Sequence, residues 1–307
     1  NPFTTDIVIL GAGLFPDGNR TLAETAILAY DFDQMQTNLA AHIEQLKLTQ
    51  SARERAESEL RIAGQIQETF LPGPFAPAEL GGRVQLQAAM KTAKQAGGDL
   101  FDYFALDDAH LFFAIGDVSG KGMPAAMFMS AAVVLLRSAA KLWRDPAEIL
   151  RRVNDDLALR NESCTFVTLF AGILDVRTGE VVFANGGHNL PRLRTAAGAV
   201  APVPAKTNMV VGALEGQTYA RETLVLRRGD VLALYTDGVT EAFNEADKLY
   251  GEDRLDRCLG AMPAEATAAE ILRGVVADVA AFAGAREQSD DITMLVLRSL
   301  PPAQITT

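Results

Sequence analysis

Cysteine, histidine and basic residues are scarce in this chain of 307 residues. Only two cysteines and three histidines are present, so neither a disulfide scaffold nor a histidine-rich zinc site is expected. The 28 lysines and arginines are outnumbered by 39 aspartates and glutamates, and the net charge of −11 argues against a nucleic-acid partner. The sparse cysteines also fit a reducing, cytoplasmic setting.

Long hydrophobic runs are missing as well. The longest uncharged stretch in the middle of the chain, Gly122 to Leu136, has 15 residues, whereas a bilayer span needs about 20. No membrane span is therefore expected. The chain begins without a methionine, which we interpret as a fragment of something longer, located in the cytoplasm or forming the cytoplasmic part of a membrane-bound sensor.

Glycine and proline are absent from Asn19 to Ala63, and the residues there favour a helix that extends to about Phe70. A heptad frame counted from Phe32 places apolar side chains at eight of twelve seam positions. The positions are Phe32, Met35, Leu39, His42, Leu46, Thr49, Arg53, Ala56, Leu60, Ala63, Gln67 and Phe70. The interrupted seam predicts a weak or switchable parallel coiled coil, and packing of the helix on its own domain is the alternative.

This helix is expected to join two chains into a homodimer and to transmit a signal from an upstream sensor that this chain lacks. Leu22 to Leu39 loosely resemble the second helix of a HAMP domain. Prolines from Pro72 onward end the helix. The expected domains are an N-terminal segment with a HAMP-like remnant, residues 1–71, and a second domain, residues 72–307.

Beyond Gly82, short strand-like runs alternate with turn residues. The first expected hairpin pairs Leu100–Leu106 with Leu111–Val118, and helices follow near Met123–Trp143 and from Asp145. Further hairpins are expected at Thr165–Ala184, at Leu190–Pro204 and at Thr223–Tyr235, the last about an Arg-Arg-Gly-Asp turn, before helices near Glu252–Leu259 and Ala264–Ala283 and a strand at Ile292–Arg298. Antiparallel hairpins with interspersed helix pairs indicate an α+β fold.

Aspartates occur in four turns that adjoin hydrophobic strands, at residues 97–99, 116–120, 236–238 and 289–293. An aspartate beside glycine is ordinarily turn chemistry, but the first hairpin brings two of these aspartates together. A turn over residues 107–110 pairs Asp117 with Leu100 and Asp99 with Val118, so both carboxylates lie at the open end. A shift of one residue would place them directly opposite, and the sequence leaves this choice open.

Two carboxylates at one hairpin mouth repel each other unless a cation, a shared proton or free solvent lies between them. Coordination by oxygen alone selects hard divalent cations such as Mg²⁺ and Mn²⁺. A divalent metal site is therefore the simplest prediction.

Five ordered motifs resemble the SpoIIE/RsbU branch of the PPM-type (protein phosphatase 2C-like) serine/threonine phosphatases. The motifs are Lys94–Phe104, Gly116–Ala126, Asn185–Asn189, Leu234–Ala242 and Asp290–Thr293. The resemblance as a whole covers most of the chain, from about Ile66 to Ser299. The resemblance implies an α-β-β-α sandwich of two antiparallel sheets flanked by helices, here preceded by the long coiled-coil helix. It also implies hydrolysis of phosphoserine or phosphothreonine by a water that bridges two Mn²⁺ or Mg²⁺ ions.

The same resemblance assigns catalysis and metal binding to four aspartates and one carbonyl. Asp117 is expected to bridge both metals, Val118 to lend its backbone carbonyl, and the set to be completed by Asp99, Asp237 and Asp290. Asp291 is expected either to support these ligands from behind or to act as an alternative ligand.

Protonation of the leaving group stays unassigned, because Ser119 occupies a position that often holds histidine. His188 is one substitute, although a loop histidine bonded to backbone is the favoured interpretation. Lys121 is expected either to meet the substrate phosphate or to be a solvated loop charge.

The resemblance implies a substrate class, the phosphorylated STAS-domain regulators of the anti-anti-sigma type. A catalytically silent binding module is the alternative, but such a module would be expected to have lost ligands that this chain retains. A diguanylate cyclase is disfavoured because Leu100 and Phe101 replace its Glu-Phe pair after Gly-Gly-Asp. A cysteine phosphatase is excluded because neither cysteine has arginine six residues later.

Overall fold

A computed structural model describes residues 20–76, 80–94, 96–159 and 161–300, with side chains from Ile27 onward. Residues 1–19, the start of the expected N-terminal segment, lie outside the described residues. The chain divides into two units, Asn1–Glu59 and Leu60–Thr307. The sequence predicted a division at Pro72, whereas here the last turns of the long helix belong to the second unit.

Helix α1 spans Arg20–Glu68, in agreement with the long helix expected from the absence of glycine and proline. Its end tightens into turns in which the Phe70 amide donates to the Gln67 carbonyl at 3.0 Å and the Leu71 amide to the Glu68 carbonyl at 3.2 Å. Pro72 follows directly, and its ring prevents the helix from continuing.

The second unit contains ten strands and five further helices within the described residues. The strands are β1 (Val84–Lys91), β2 (Asp99–Ala105), β3 (His110–Val118), β4 (Val167–Asp175), β5 (Glu180–Gly186), β6 (Arg192–Arg194), β7 (Val200–Pro202), β8 (Glu222–Val225), β9 (Val231–Tyr235) and β10 (Ile292–Ser299). The helices are α2 (Met123–Leu142), α3 (Pro146–Ala158), α4 (Asp237–Thr240), α5 (Glu252–Ala261) and α6 (Ala268–Ala283).

The strands form two five-stranded sheets in which neighbouring strands pair antiparallel. The first sheet has the order β1-β10-β9-β6-β7, and the second has the order β2-β3-β4-β5-β8. Alternating side chains of β3 separate two cores, because Phe113 and Ile115 face the space between the sheets while Phe112 and Ala114 face helices α2 and α3. Helices α5 and α6 cover the outer face of the first sheet. These layers form the expected α-β-β-α sandwich.

The expected hairpin over Thr223–Tyr235 is wrong. Strand β8 pairs with β5 in the second sheet, whereas β9 pairs with β10 and β6 in the first. The connecting turn is held by Asp230, whose carboxylate accepts the Arg227 amide at 2.9 Å and whose carbonyl accepts the Ser299 amide at 3.0 Å. Ser299 is the last residue of β10 in the first sheet, so its bond to Asp230 anchors the turn at that sheet. The turn thus leads the chain from β8 in the second sheet to β9 in the first.

The first hairpin has the register that the sequence left as its second choice. Strands β2 and β3 pair Asp99 with Asp117, one residue away from the pairing centred on residues 107–110. The Asp107 carboxylate accepts the amides of Ala109 and His110, each at 3.0 Å. These bonds hold a shorter loop and thereby shift the pairing by one residue.

Helix α2 is long and apolar enough to cross a membrane by composition alone. Its apolar side chains have another explanation, because Met129, Val133 and Leu136 are fully buried in the core that α2 shares with the second sheet and α3. The helix is therefore a core element of this fold.

Candidate metal and active site

One part of the site, the hairpin half, comprises Asp99, Asp117 and Val118. Asp99 begins β2 and is only 2% exposed, and it lies opposite Asp117 on β3. Val118 donates its amide to the Gly98 carbonyl at 3.2 Å. A Cβ atom on Gly98 would lie 2.9 Å from the Val118 carbonyl oxygen, so glycine is needed for this close approach beside Asp99.

The other part, the loop half, comprises Asp237, Asp290 and Asp291. Asp237 is the first residue of α4 and lies two positions after the end of β9, and Asp290 and Asp291 directly precede β10. Strands β9 and β10 are antiparallel neighbours, so the end of one strand and the start of the other share an edge. A Cβ atom on Gly238 would collide with the Asp291 carbonyl oxygen, which makes glycine necessary here as well.

Hydrogen bonds join the hairpin half to the loop half. The two carboxylate oxygens of Asp291 accept the amides of Ala93 and Gly98, both at 2.8 Å. Thr236, which precedes Asp237, donates its hydroxyl to Asp99 Oδ2 at 2.8 Å. The structure thus brings all the aspartates expected from sequence to one edge of the sandwich, and it turns the Asp291 carboxylate toward backbone amides.

Burial and mutual repulsion raise the pKa values of the carboxylates in the site. Burial, followed by repulsion from Asp237 and Asp290, raises the pKa of Asp117 to about 7. Burial and the neighbouring Asp117 hold the pKa of Asp99 well above its ordinary value, and burial raises the pKa of Asp237. Negative charge is therefore unfavourable here without a compensating cation.

The donor set fits a hard divalent cation by its chemistry, since it offers carboxylate oxygens and the Val118 carbonyl. Across residues 27–76, 80–94, 96–159 and 161–300, however, no three Asp, Glu, His or Cys side chains already surround one point as metal ligands would. Two of the carboxylates are instead engaged in hydrogen bonds within the protein: Asp99 with the Thr236 hydroxyl, and Asp291 with backbone amides.

Lys121 forms a solvent-exposed ion pair with Asp290 of the loop half. Its ammonium group donates to Asp290 Oδ2 at 2.7 Å and to the Ser289 carbonyl at 3.0 Å. Both side chains are about half exposed, at 52% and 44%. Lys121 therefore links the loop after β3 to the segment before β10 through an ion pair that solvent can reach.

Ser119 and His188 are both engaged in structural bonds. Ser119 accepts the Phe166 amide at 3.0 Å. His188 is buried, its Nδ1 lies 2.9 Å from the Thr168 hydroxyl, and Thr168 pairs with Asp117 across β3 and β4. Burial lowers the pKa of His188 to about 4, so a neutral imidazole supports the Asp117 strand from behind and does not reach a substrate.

Sequence reasoning missed two polar contacts that support this region. Thr236 lies within the Leu234–Ala242 motif, and the motif alone does not predict that its hydroxyl orients Asp99. Asp102 is fully buried and receives two hydrogen bonds from Arg137 of α2, at 2.7 and 2.9 Å. The signal for Asp102 was available, because a lone charge within an aromatic strand requires a buried partner.

Comparison with known proteins identifies the family. Residues 107–300 match the family model described as Stage II sporulation protein E (SpoIIE). The chain is 29% identical over 266 residues to Protein IcfG of Synechocystis sp., and 28% identical over 193 residues to phosphoserine phosphatase RsbU of Bacillus subtilis. These alignments cover 78% and 63% of this chain but only 41% and 56% of those relatives.

Solved structures agree with this assignment at the level of the fold. The PP2C domain of SiaA from Pseudomonas aeruginosa covers 80% of this chain, and 98% of that chain is matched, with a TM-score of 0.70 and 24% identity. The phosphatase domain and regulatory fragment of SpoIIE from Bacillus subtilis cover 70% of this chain, and 63% of that chain is matched, with a TM-score of 0.60 and 22% identity. The chain belongs to the SpoIIE family, within the SpoIIE/RsbU branch of the PPM-type serine/threonine phosphatases.

Proposed function

We propose that the second unit is a metal-dependent phosphatase that hydrolyses phosphoserine or phosphothreonine on a STAS-domain regulator. One observation carries the proposal: carboxylates from separate chain segments meet at one edge of the sandwich and raise one another's pKa. Family membership supports the reaction class, and two relatives are named phosphoserine phosphatases.

In this proposal two Mn²⁺ or Mg²⁺ ions are held by Asp99, Asp117, Asp237, Asp290 and the Val118 carbonyl. When bound, the ions supply an activated water as nucleophile and neutralise charge on the phosphoryl oxygens. The chain's own residues prepare the site: Thr236 orients Asp99, and Asp291 fixes the backbone beside it. Asp290 must exchange its ion pair with Lys121 for the cation.

The test is phosphate release from a phosphoserine STAS-domain protein with and without Mn²⁺. We expect Mn²⁺-dependent release that is lost in Asp237→Asn and retained in Asp253→Asn, which removes an exposed carboxylate from α5. No release with any metal, together with tight binding of the same STAS-domain protein, would instead favour a catalytically silent binding module.

The substrate proposal is supported by the domains that accompany a related phosphatase domain in another protein. One similar solved structure contains RsbU and RsbW domains from a Mycobacterium tuberculosis protein, with 26% identity and a TM-score of 0.59. We extend that association to a partner-switching role for this chain, in which removal of a phosphate changes which regulator its substrate binds.

We also propose that helix α1 forms a homodimer and receives the signal of an upstream sensor. Along its first half an apolar stripe is exposed, including Phe32 at 56%, Met35 at 58% and Leu39 at 58%. Burial of such a stripe against a second copy is favourable. Sedimentation should show a dimer that Leu39→Lys converts to monomer, whereas a monomeric parent chain at high concentration would contradict this. We propose a cytoplasmic location as well, which the two free thiols support.

A further inference from the structure

Gln67 lies in the last turn of α1 and is only 5% exposed. In this part of α1, which belongs to the second unit, one helix face packs on the rest of that unit, with Gly64 and Gln67 buried and Leu60, Ala63 and Phe70 partly buried. On the opposite face Gln65 is exposed. The last heptad of the expected coiled-coil seam is therefore occupied by the chain's own phosphatase unit.

The Gln67 side chain makes two hydrogen bonds to the backbone of one residue. Its Nε2 donates to the Gly97 carbonyl at 2.6 Å, and its Oε1 accepts the Gly97 amide at 3.2 Å. Glutamine is suited to this contact because its amide group offers a donor and an acceptor side by side. An apolar side chain would leave both groups of Gly97 unpaired in a buried setting.

Gly97 is confined on its other side by the site itself. A Cβ atom there would collide with the Asp291 carboxylate, whose Oδ2 also accepts the Gly98 amide at 2.8 Å. Gly98 in turn accepts the Val118 amide, and Asp99 follows. Hydrogen bonds on Gly97 and Gly98, which are joined by a peptide bond, therefore connect the end of α1 to the hairpin half.

We propose that Gln67 is a positioning residue that holds the Gly97-Gly98 turn and so keeps the Asp99 carboxylate opposite Asp117. This inference rests on the proposed function and adds a residue to its machinery. The end of α1 has other anchors, because Phe70 and Leu71 pack on the core and Tyr103 donates its hydroxyl to the Gly73 carbonyl at 2.8 Å. Loss of the Gln67 amide therefore releases the turn without detaching the helix.

Hydrogen exchange on the full, metal-free chain tests the contact directly. In Gln67→Met, which keeps the length of the side chain, we expect the amides of residues 96–99 to exchange about tenfold faster, the scale of one lost buried hydrogen bond. Peptides from β4 should be unchanged. Gln65→Met is the matched control on the exposed face and should exchange as the parent does. Parent-like exchange at residues 96–99 in Gln67→Met would overturn the proposal.

Calorimetric titration with Mn²⁺ tests the consequence for the site. We expect the Kd of Gln67→Met to rise about tenfold, in the range for residues that orient metal ligands, while Gln65→Met keeps the parent value. With a phosphoserine protein, kcat should fall with little change in KM. Faster exchange throughout the chain, or unchanged Mn²⁺ affinity, would show a merely structural role. If no variant, including the parent, releases phosphate, the proposed function fails, while exchange and Mn²⁺ affinity still decide the role of Gln67.

Discussion

The hairpin half and the loop half are built differently although they serve one site. Asp99 and Asp117 are fixed by the backbone ladder of β2 and β3, so their separation is set by the sheet. Asp237 and Asp290 lie just outside strands β9 and β10, and Asp290 is 44% exposed and paired with Lys121. The hairpin half therefore holds its carboxylates through sheet pairing and buries them at an electrostatic cost, whereas the loop half holds Asp290 through an exposed ion pair that a cation can replace.

The largest effect should come from removing charge in the hairpin half. Asp117→Asn keeps the shape of the side chain but removes the carboxylate that we propose to hold both metal ions, so we expect phosphatase activity to fall more than about 100-fold, beyond the range for residues that merely orient ligands. Phosphate release measures this loss. Asp108→Asn, an exposed change in the turn of the same hairpin, should retain activity, and activity in Asp117→Asn would refute the bridging role.

The same variant should be more stable without metal at alkaline pH. The pKa of Asp117 is raised to about 7 in the folded chain, from an ordinary value near 3.8. A raised acid pKa means that stability is lost as pH rises from about 4 to about 7. Melting in the presence of a chelator should therefore favour Asp117→Asn at pH 8 and show little difference at pH 4.

In the loop half, a change of backbone contact should have the next largest effect. Gly238→Ala places a Cβ against the Asp291 carbonyl oxygen, and relief of the clash must displace the segment that carries Asp290. We expect a loss of about 1–3 kcal/mol in the free energy of unfolding, typical of overpacking, and a fall in activity. Gly73→Ala has no atom within 4 Å of its new Cβ and should be close to neutral in denaturant unfolding. Equal losses of stability in Gly238→Ala and Gly73→Ala would contradict the importance of the close contact between Gly238 and Asp291.

The smallest effect should come from the exposed ion pair. Lys121→Met removes the ammonium group that competes with a cation for Asp290, so Mn²⁺ affinity should rise about threefold, equivalent to a surface ion pair of about 0.7 kcal/mol. Calorimetry measures this change, with Lys248→Met at an exposed position as control. A large rise in KM with no change in Mn²⁺ affinity would instead identify Lys121 as a phosphate contact.

The sequence was sufficient for the layered fold and for the meeting of the aspartates, because hairpin periodicity and ordered motifs are local signals. It was insufficient where one side chain decides the outcome. The Asp107 turn shifted the register of the first hairpin, and the Asp230 turn sent β9 into the other sheet. Gln67 was noted only as a polar interruption of the heptad seam, since a contact across thirty residues leaves no local pattern.

His188 has a consequence for the acidity range over which this enzyme can be studied. Its imidazole stays uncharged above about pH 4, so a pH–activity profile near neutrality contains no titration of His188. The pKa of His188 is about 6.5 in the unfolded chain and about 4 in the folded chain. Between these pH values only the unfolded chain is protonated at His188. Protonation of His188 in the unfolded chain therefore lowers the free energy of unfolding as pH falls through that interval, opposite in sign to the contribution of Asp117 over the same range.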